Sequence, residues 1–266
     1  MNLTAYEKVK LARHQNRPNT KFFIDSLFDD FLELKGDRMN GDDNAIIGGI
    51  AELDGKNVTI IGHVKGCSID ENIKANFGMP HPEGYRKAIR LAQQAEKFNR
   101  PIITFVDTPG AYPGVKAEER GQSEAIARCI MTFMGLKVPV ITVVIGEGGS
   151  GGALAISGAN HIIMLENSVY SVLSPEGFAS ILYKDPSRAE EASEIMKLTA
   201  QDLFELEIID EILEEPHGGA HNNPAYLLPE LKNKLKQLLD GFSKFDSLEI
   251  VNHRYEKFRK IGSFGT

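Results

Sequence analysis

Residues 138–152 read VPVITVVIGEGGSGG, an apolar β-branched run that passes directly into a stretch with five glycines in seven residues. Such a run is typical of a strand that is buried on both faces of a sheet. Short apolar runs recur at residues 102–106, 161–165 and 208–213, and amphipathic helical patterns separate most of them. Strands that alternate with helices predict an α/β layered architecture.

The segments on either side predict further elements. A capping box formed by Thr4 and Glu7 begins a first helix, and Asp54-Gly55 is a hairpin turn. Helices are predicted at 4–14, 21–35, 82–98, 117–134, from the glycine run to residue 156, after Ser174-Pro175, after Asp185-Pro186 and twice near the end; strands at 45–53, 57–64, 102–106, 138–145, 161–165, 169–173 and 208–213; and a polar loop at 66–81. Because no repeat or long linker interrupts the pattern, we expect a single domain over residues 1–266. Helical extensions are expected at about 1–36 and 224–266.

Composition restricts the class of protein. The chain has 266 residues, of which 42% are apolar and 25% charged, so disorder, collagen and coiled coil are excluded. Cys67 and Cys129 form no paired-cysteine motif, which indicates a reducing compartment. No apolar stretch reaches the length of a signal peptide or a membrane span, so we expect a soluble cytoplasmic protein.

The net charge of −7 is unevenly distributed. Residues 189–216 carry a net charge of −9, which leaves +2 for the remainder, and both ends of the chain are basic. These segments are either solvated helix faces or docking surfaces for a partner protein. A pI near 5.6 disfavours general nucleic-acid binding.

Residues 146–152, the glycine loop, allow three interpretations. A phosphate-binding P-loop is excluded, because Ala153 and Leu154 stand where Lys and Ser or Thr are needed. A serine nucleophile is possible, since residues 148–152 match G-x-S-x-G and acids and histidines follow in the expected order. The third interpretation is an oxyanion hole built from the backbone amides of Gly151 and Gly152.

Other signals are weaker. Asp107-Thr108-Pro109-Gly110 imitates a GTPase switch but lacks an upstream P-loop; the loop is still expected to line a pocket at the carboxyl end of a strand. His217 and His221 are four residues apart, but the glycines between them argue against a helical metal site. Glu118, Glu119 and Glu147 are expected to be solvated rather than to act in acid–base catalysis.

Several motifs then stand together in one order. They are NFGMP (76–80), PEGYRKA (82–88), DTPGAYPG (107–114), EERGQSEA (118–125), GEGGSGGA (146–153), YSV (170–172) with SPEG (174–177), and GGAH (218–221). With this set the chain closely resembles the alpha subunits of bacterial acetyl-CoA carboxylase carboxyltransferases, from the first helix to the basic tail. It departs from that family at Val64, Cys67 and Lys116, where Gln, Arg and a small residue are common.

The resemblance implies a ClpP/crotonase-type α/β fold of repeated ββα units. It implies transfer of CO₂ from carboxybiotin to acetyl-CoA, which gives malonyl-CoA for fatty-acid biosynthesis. The expected cofactor is biotin, held on a biotin carboxyl carrier protein and not on this chain. A beta subunit is expected to supply a zinc ribbon and the acyl-CoA half of the site, in an assembly of two alpha and two beta subunits that works with biotin carboxylase. This chain lacks ribbon cysteines, so no metal is expected in it.

The resemblance also implies site residues. The amides of Gly151 and Gly152 would bind the biotin ureido oxygen, and no side-chain base is needed because the ureido nitrogen takes the methyl proton. Substrate-binding residues are expected to be Gly148, Gly149, Gly110, Ala111, Tyr112, Pro113, Phe77, Gly78 and Met79. The alternatives are an acyl-CoA hydratase or isomerase of crotonase type, a serine hydrolase using Ser150, and a non-catalytic assembly subunit. A hydratase would need a pair of positioned glutamates, and only Glu147 is near.

Overall fold

The computed structural model describes residues 3–262, in which eight strands form one mixed sheet. The strands are β1 (Asp29–Glu33), β2 (Ile46–Leu53), β3 (Lys56–His63), β4 (Ile102–Thr108), β5 (Val140–Gly149), β6 (His161–Leu165), β7 (Val169–Ser171) and β8 (Glu211–Leu213). Their order is β1-β2-β3-β4-β5-β6-β8, and β7 pairs with the end of β5. The β1–β2 and β2–β3 pairs are antiparallel, whereas all the others are parallel.

Helices cover the sheet and extend its ends. They are α1 (Ala5–Ala12), α2 (Thr20–Leu27), α3 (Ile69–Lys74), α4 (Pro82–Lys97), α5 (Val115–Glu119), α6 (Gln122–Gly135), α7 (Ser150–Leu154), α8 (Pro175–Leu182), α9 (Ala189–Met196), α10 (Ala200–Glu205), α11 (Leu227–Phe242) and α12 (Ser247–Lys260). Short 3₁₀ turns occur at Asn76–Gly78, Pro186–Arg188 and Pro224–Tyr226. No helix within residues 3–262 is long and apolar enough to cross a membrane.

Strand β5 is buried on both of its faces, and residues 140–145 of it are apolar except for Thr142. Ile141, Val143 and Ile145 belong to a buried cluster that α2 and α11 cover, whereas Val140 and Val144 belong to a second cluster under α4 and α6. Successive side chains of a strand point to opposite faces, so a strand between two helical layers needs apolar residues at every position. The sequence pattern of residues 138–145 therefore reflects burial from both sides.

The predicted helix over residues 21–35 is wrong beyond Leu27. α2 ends at Leu27, Phe28 is extended, and residues Asp29–Glu33 form β1, which is irregular at Asp30 with its φ of +51°. β1 pairs antiparallel with β2, and Leu34 N–H donates to Gly48 O at 2.9 Å. The apolar spacing fits a helix, but backbone pairing along the edge of the sheet stabilises the strand instead. The N-terminal extension is thus helical only as far as α2.

Three other predictions need correction. The segment 66–81 is not only loop, because Ser68 caps α3 by accepting a hydrogen bond from Glu71 N–H at 3.2 Å. The helix predicted over 117–134 is two helices, since Gly121 has a φ of +81° between α5 and α6. β5 continues to Gly149, four residues beyond its predicted end, so four of the seven residues of the glycine loop are strand.

The basic ends and the acidic segment contact one another within the chain. The Arg17 guanidinium donates to the Glu215 carboxylate, and both side chains are buried. Near the other end, Lys257 pairs with Asp210. These intrachain ion pairs therefore neutralise part of the negative charge of residues 189–216, and that part is not available to a partner protein.

Candidate active site

Three loops meet at the carboxyl edge of the central parallel strands. β3, β4 and β5 run in the same direction, so the segments that follow them start at the same edge. Residues 109–114, the proline loop, follow β4, and Tyr112 N–H donates to Pro80 O at 3.0 Å. Gln122 Nε2 donates to both Pro80 O and Tyr112 O at 2.9 Å. These bonds join the proline loop to the segment that contains Phe77, Gly78 and Met79.

Three glycines of the glycine loop are required by close packing. A Cβ atom on Gly146 would overlap the Asp107 carboxylate, and one on Gly148 would overlap the Tyr170 ring. On Gly149 it would overlap the backbone of Pro109. The strands approach so closely here that these positions need glycine whether or not a ligand binds.

Gly151 and Gly152 lie in the first turn of α7, after a turn at Ser150 with a φ of +55°. A Cβ on Gly152 would lie 2.8 Å from both Ala111 N and Gly110 C, and 3.0 Å from Tyr85 Oη. On Gly151 the nearest atom would be Ile126 Cγ2 at 3.3 Å. The Ala111 amide nitrogen therefore lies next to Gly152, in the first turn of α7. First-turn amides have no partner within their helix, so these amides are candidate donors for a ligand oxygen.

The remaining predicted residues lie on two sides of this point. Gly78 lies beside the carboxyl end of β4, since a Cβ there would lie 3.3 Å from Asp107 O. Phe77 is 53% exposed and lines a cavity of about 430 Å³ together with Pro109 and Glu147. Tyr112 packs against His81 with ring centroids 4.3 Å apart. The structure thus brings Gly110, Ala111, Gly151 and Gly152 together, while Phe77 faces a separate cavity.

An apolar groove of about 420 Å³ lies beside the donors. Ser150 and Gly151 form one rim, and the other walls are mainly apolar: Leu154, Tyr170, Val172, Phe178, Met196, Leu203, Leu206 and Ile208, with Ser171 and Lys197. No His, Asp or Glu is among the lining residues, and His221 instead stacks on His14 with a 3.8 Å centroid separation. The positive φ of Ser150 resembles a nucleophile elbow, but the described residues place no base at its hydroxyl.

A cluster of charged side chains adjoins the glycine loop, and the sequence did not predict it. Lys65 Nζ lies 2.7 Å from Asp107 Oδ1 and 2.8 Å from Glu147 Oε2. Arg13 Nε lies 2.6 Å from Glu147 Oε1, and Arg13 Nη1 lies 2.7 Å from Glu176 Oε1. These five side chains are called the ion cluster below. Glu147 is thus paired and only 12% exposed, rather than solvated as expected.

The pKa shifts in the ion cluster follow from these pairs. Burial alone would lower the pKa of the Lys65 ammonium, but the Asp107 and Glu147 carboxylates raise it above its ordinary value. Burial alone would raise the pKa of Glu147, but Lys65 and Arg13 hold it below its ordinary value. Both groups are therefore charged at neutral pH. Nearby, complete burial lowers the pKa of His63 to about 3, so this ring is neutral.

A metal site finds no support in the part of the chain that the structure describes. Residues 3–262 contain no group of three or more His, Cys, Asp or Glu side chains suited to hold a metal ion. His217 is exposed, and the His221 ring contacts His14 rather than a ligand set.

Comparisons with known proteins agree with one another. The profile of the family described as acetyl co-enzyme A carboxylase carboxyltransferase-like matches residues 1–262. The acetyl-coenzyme A carboxylase carboxyl transferase subunit alpha of Clostridium perfringens is 60% identical over 257 residues, which cover 97% of this chain and 95% of that one.

Two solved structures show the same fold. Transcarboxylase 12S superposes with a TM-score of 0.69 at 20% identity; the match covers 85% of this chain but only 42% of that one. A hetero-tetrameric Pseudomonas malonate decarboxylase in complex with coenzyme A gives a TM-score of 0.67 at 18% identity, covering 81% and 86% of the two chains. The predicted ClpP/crotonase-type fold is confirmed.

Proposed function

Because the chain belongs to the acetyl co-enzyme A carboxylase carboxyltransferase-like family, it is a carboxyltransferase subunit, and we propose that its glycine loop is the biotin half of the transfer site. In this proposal the amides of Gly151 and Gly152, with Ala111 beside them, bind the ureido oxygen of carboxybiotin. The observation that carries it is the approach of the Ala111 amide to the first turn of α7, 2.8 Å from the position of a Gly152 Cβ.

The chemistry of these residues fits biotin, whose ring system has a polar ureido edge and an apolar remainder. The amides suit the ureido oxygen, and the groove lined by Leu154, Tyr170 and Phe178 suits the apolar part. When bound, carboxybiotin supplies the CO₂ and the ureido nitrogen that accepts the methyl proton of acetyl-CoA, which becomes malonyl-CoA. We propose that the biotin is attached to a carrier protein and not to this chain.

The chain's own contribution is orientation and electrostatic stabilisation. Donors that are already in place when charge develops on an oxygen lower the barrier without reorganisation, and one such donor is worth about 3 kcal/mol. Ser150 provides the turn that places Gly151 and Gly152, because its left-handed backbone ends β5 and begins α7. No side-chain nucleophile is used.

The surface beside the donors indicates a protein partner. Val172, Ile181 and Leu182 are 80%, 65% and 54% exposed, and they lie on β7 and α8 or directly between them. Exposed apolar side chains grouped beside a site mark a protein interface. We propose that a zinc-ribbon beta subunit covers this surface and brings the acyl-CoA half of the site. The complete assembly would have two alpha and two beta subunits, act with biotin carboxylase and its carrier, and reside in the cytoplasm, in keeping with the free Cys67 and Cys129.

The test is reconstitution. The purified chain, a bacterial beta subunit and their mixture are assayed in the reverse direction, with malonyl-CoA as donor and biocytin as acceptor. We expect acetyl-CoA to be formed only by the mixture. Activity of the isolated chain would contradict the two-subunit site, and an inactive mixture that co-purifies as a complex would favour a non-catalytic assembly subunit.

A further inference from the structure

The ion cluster links the two loops that supply the proposed donors. Glu147 lies within the glycine loop, and Asp107 immediately precedes the Thr108 turn that opens the proline loop. Asp107 Oδ1 accepts a hydrogen bond from Glu147 N–H at 3.0 Å and also lies 2.7 Å from Lys65 Nζ. A single ammonium, from the residue two positions after β3, therefore bridges the ends of β4 and β5.

The backbone leaves little freedom around this bridge. The register of β4 and β5 shifts between Val106 and Thr108, so the strands separate from a regular ladder at Asp107. The Asp107 carboxylate occupies the space where a side chain at Gly146 would stand. Pairing resumes only between Thr108 and Gly148, so the side chains of Asp107 and Glu147, with Lys65 between them, span the irregular stretch that lies before it.

Charge balance at this point depends on Lys65. The Asp107 and Glu147 carboxylates are largely buried, with side chains 7% and 12% exposed. Two buried carboxylates that share one cation repel each other once the cation is removed. After removal of Lys65, Arg13 would still pair with Glu147 but not with Asp107, because its other contacts are with Glu176.

We propose that Lys65 is a positioning residue of the transfer site: it holds Asp107 and Glu147 together, so that Ala111 and the first turn of α7 present their amides to one ligand oxygen. The inference rests on the proposed function, since it assumes that these amides are the site.

The proposal predicts a distinctive pH dependence for Lys65→Met. Without the ammonium, the pKa of Glu147 rises, because burial is then opposed by Arg13 alone. Protonation of one carboxylate at low pH relieves the repulsion, so the variant should recover activity relative to wild type as the pH falls. The other charged and titratable groups near this cavity are Cys67, His14, Arg17 with its partner Glu215, and Glu176, together with His63, whose pKa burial and Lys65 lower. All of them are present in both proteins, and adding Glu147→Gln to Lys65→Met separates an effect at Glu147 from an effect at any of these groups.

The experiment measures kcat for malonyl-CoA–biocytin exchange by the complex with the beta subunit at pH 6 and pH 8. Lys65→Met should lower kcat at least tenfold relative to wild type at pH 8, and at pH 6 this loss should be at least threefold smaller. Lys65→Arg should keep at least a third of the wild-type kcat. Adding Glu147→Gln to Lys65→Met should raise the kcat of the variant at least threefold. Lys137→Met removes an exposed lysine before β5, at the opposite edge of the sheet, and should leave kcat unchanged.

Two outcomes would overturn the proposal. One is a Lys65→Met activity within twofold of wild type at pH 8. The other is a loss that neither lower pH nor Glu147→Gln relieves, which would indicate a merely structural role. If Lys65→Met does not fold, Lys65→Gln replaces it under the same criteria. Gly152→Ala is assayed in parallel: if it is fully active the proposed site itself fails, whereas an inactive Gly152→Ala beside an active Lys65→Met rejects only the role of Lys65.

Discussion

Gly152→Ala is the substitution that tests the proposed donor arrangement with the smallest chemical change. It keeps the amide N–H and adds one methyl group. That methyl would lie 2.8 Å from Ala111 N and Gly110 C, both backbone atoms that no side-chain rotation can move away. Ordinary van der Waals contact begins at 3.4 Å, so α7 and the proline loop must separate by about 0.6 Å.

The expected cost follows from this displacement. Misplacing catalytic groups by about 1 Å costs on the order of 100-fold in rate, and losing one preorganised donor costs about 100- to 1,000-fold. We therefore expect Gly152→Ala to lower kcat about 100-fold. Overpacking should also lower the free energy of unfolding by about 1–3 kcal/mol, which leaves a folded protein to assay.

The assay is malonyl-CoA–biocytin exchange by the reconstituted complex, with unfolding by urea measured on the same samples. Gly241→Ala is the matched control, because a Cβ at that position of α11 would meet nothing within 4 Å. It should keep wild-type activity and gain up to about 1 kcal/mol of stability, as expected for alanine in a helix. A Gly152→Ala variant with a kcat within threefold of wild type would show that the contact between α7 and the proline loop does not position the donors.

Three further predictions concern catalysis, stability and pH. Ser150→Ala should keep more than half of the exchange activity, since no base faces its hydroxyl; complete loss would revive a nucleophile. Arg254→Met should lower the free energy of unfolding, measured in urea, by about 4 kcal/mol. The buried Arg254 guanidinium donates to four acceptors that would lose their partner: Met134 O, Leu136 O, Val138 O and Asn160 Oδ1. The control Arg259→Met, on the exposed part of α12, should change the free energy of unfolding by less than about 0.5 kcal/mol. Folding lowers the pKa of His63 from 6.5 to about 3, so between these pH values the unfolded chain binds a proton at His63 that the folded chain does not. The free energy of unfolding should therefore fall by up to about 1.4 kcal/mol for each pH unit below pH 6.5. His63→Gln should flatten that slope in urea titrations between pH 4 and 6.5, and His217→Gln, at an exposed histidine, should not.

Local signals predicted much of the secondary structure. The Thr4–Glu7 capping box, the Asp54-Gly55 turn and Pro82 at the start of α4 each act within a few residues, so the sequence contains all that is needed. α3 also had a local signal, Ser68 followed by Glu71 three residues later, which the loop prediction overlooked. β1 had no such signal, since an edge strand is defined by the partner it pairs with rather than by its own pattern.

The candidate site was predictable where it depends on residue type and not where it depends on distant packing. Gly151, Gly152 and Ala111 come together as their loops suggested, because parallel strands end at one edge of the sheet. Lys65 lies 42 residues before Asp107 and 82 before Glu147 in the chain, so no spacing rule joins them. The number of glycines was a less specific signal than it seemed in the sequence, since the packing of β4, β5 and β7 accounts for three of them.

The most direct test of the proposed biotin site is a crystal structure of the complex with the beta subunit and biocytin. We expect the ureido oxygen to lie about 3 Å from at least two of the amide nitrogens of Ala111, Gly151 and Gly152. We also expect the biotin ring to lie in the groove beside Leu154 and Tyr170. A ureido oxygen bound elsewhere, for example in the cavity lined by Phe77 and Glu147, would contradict the proposed site.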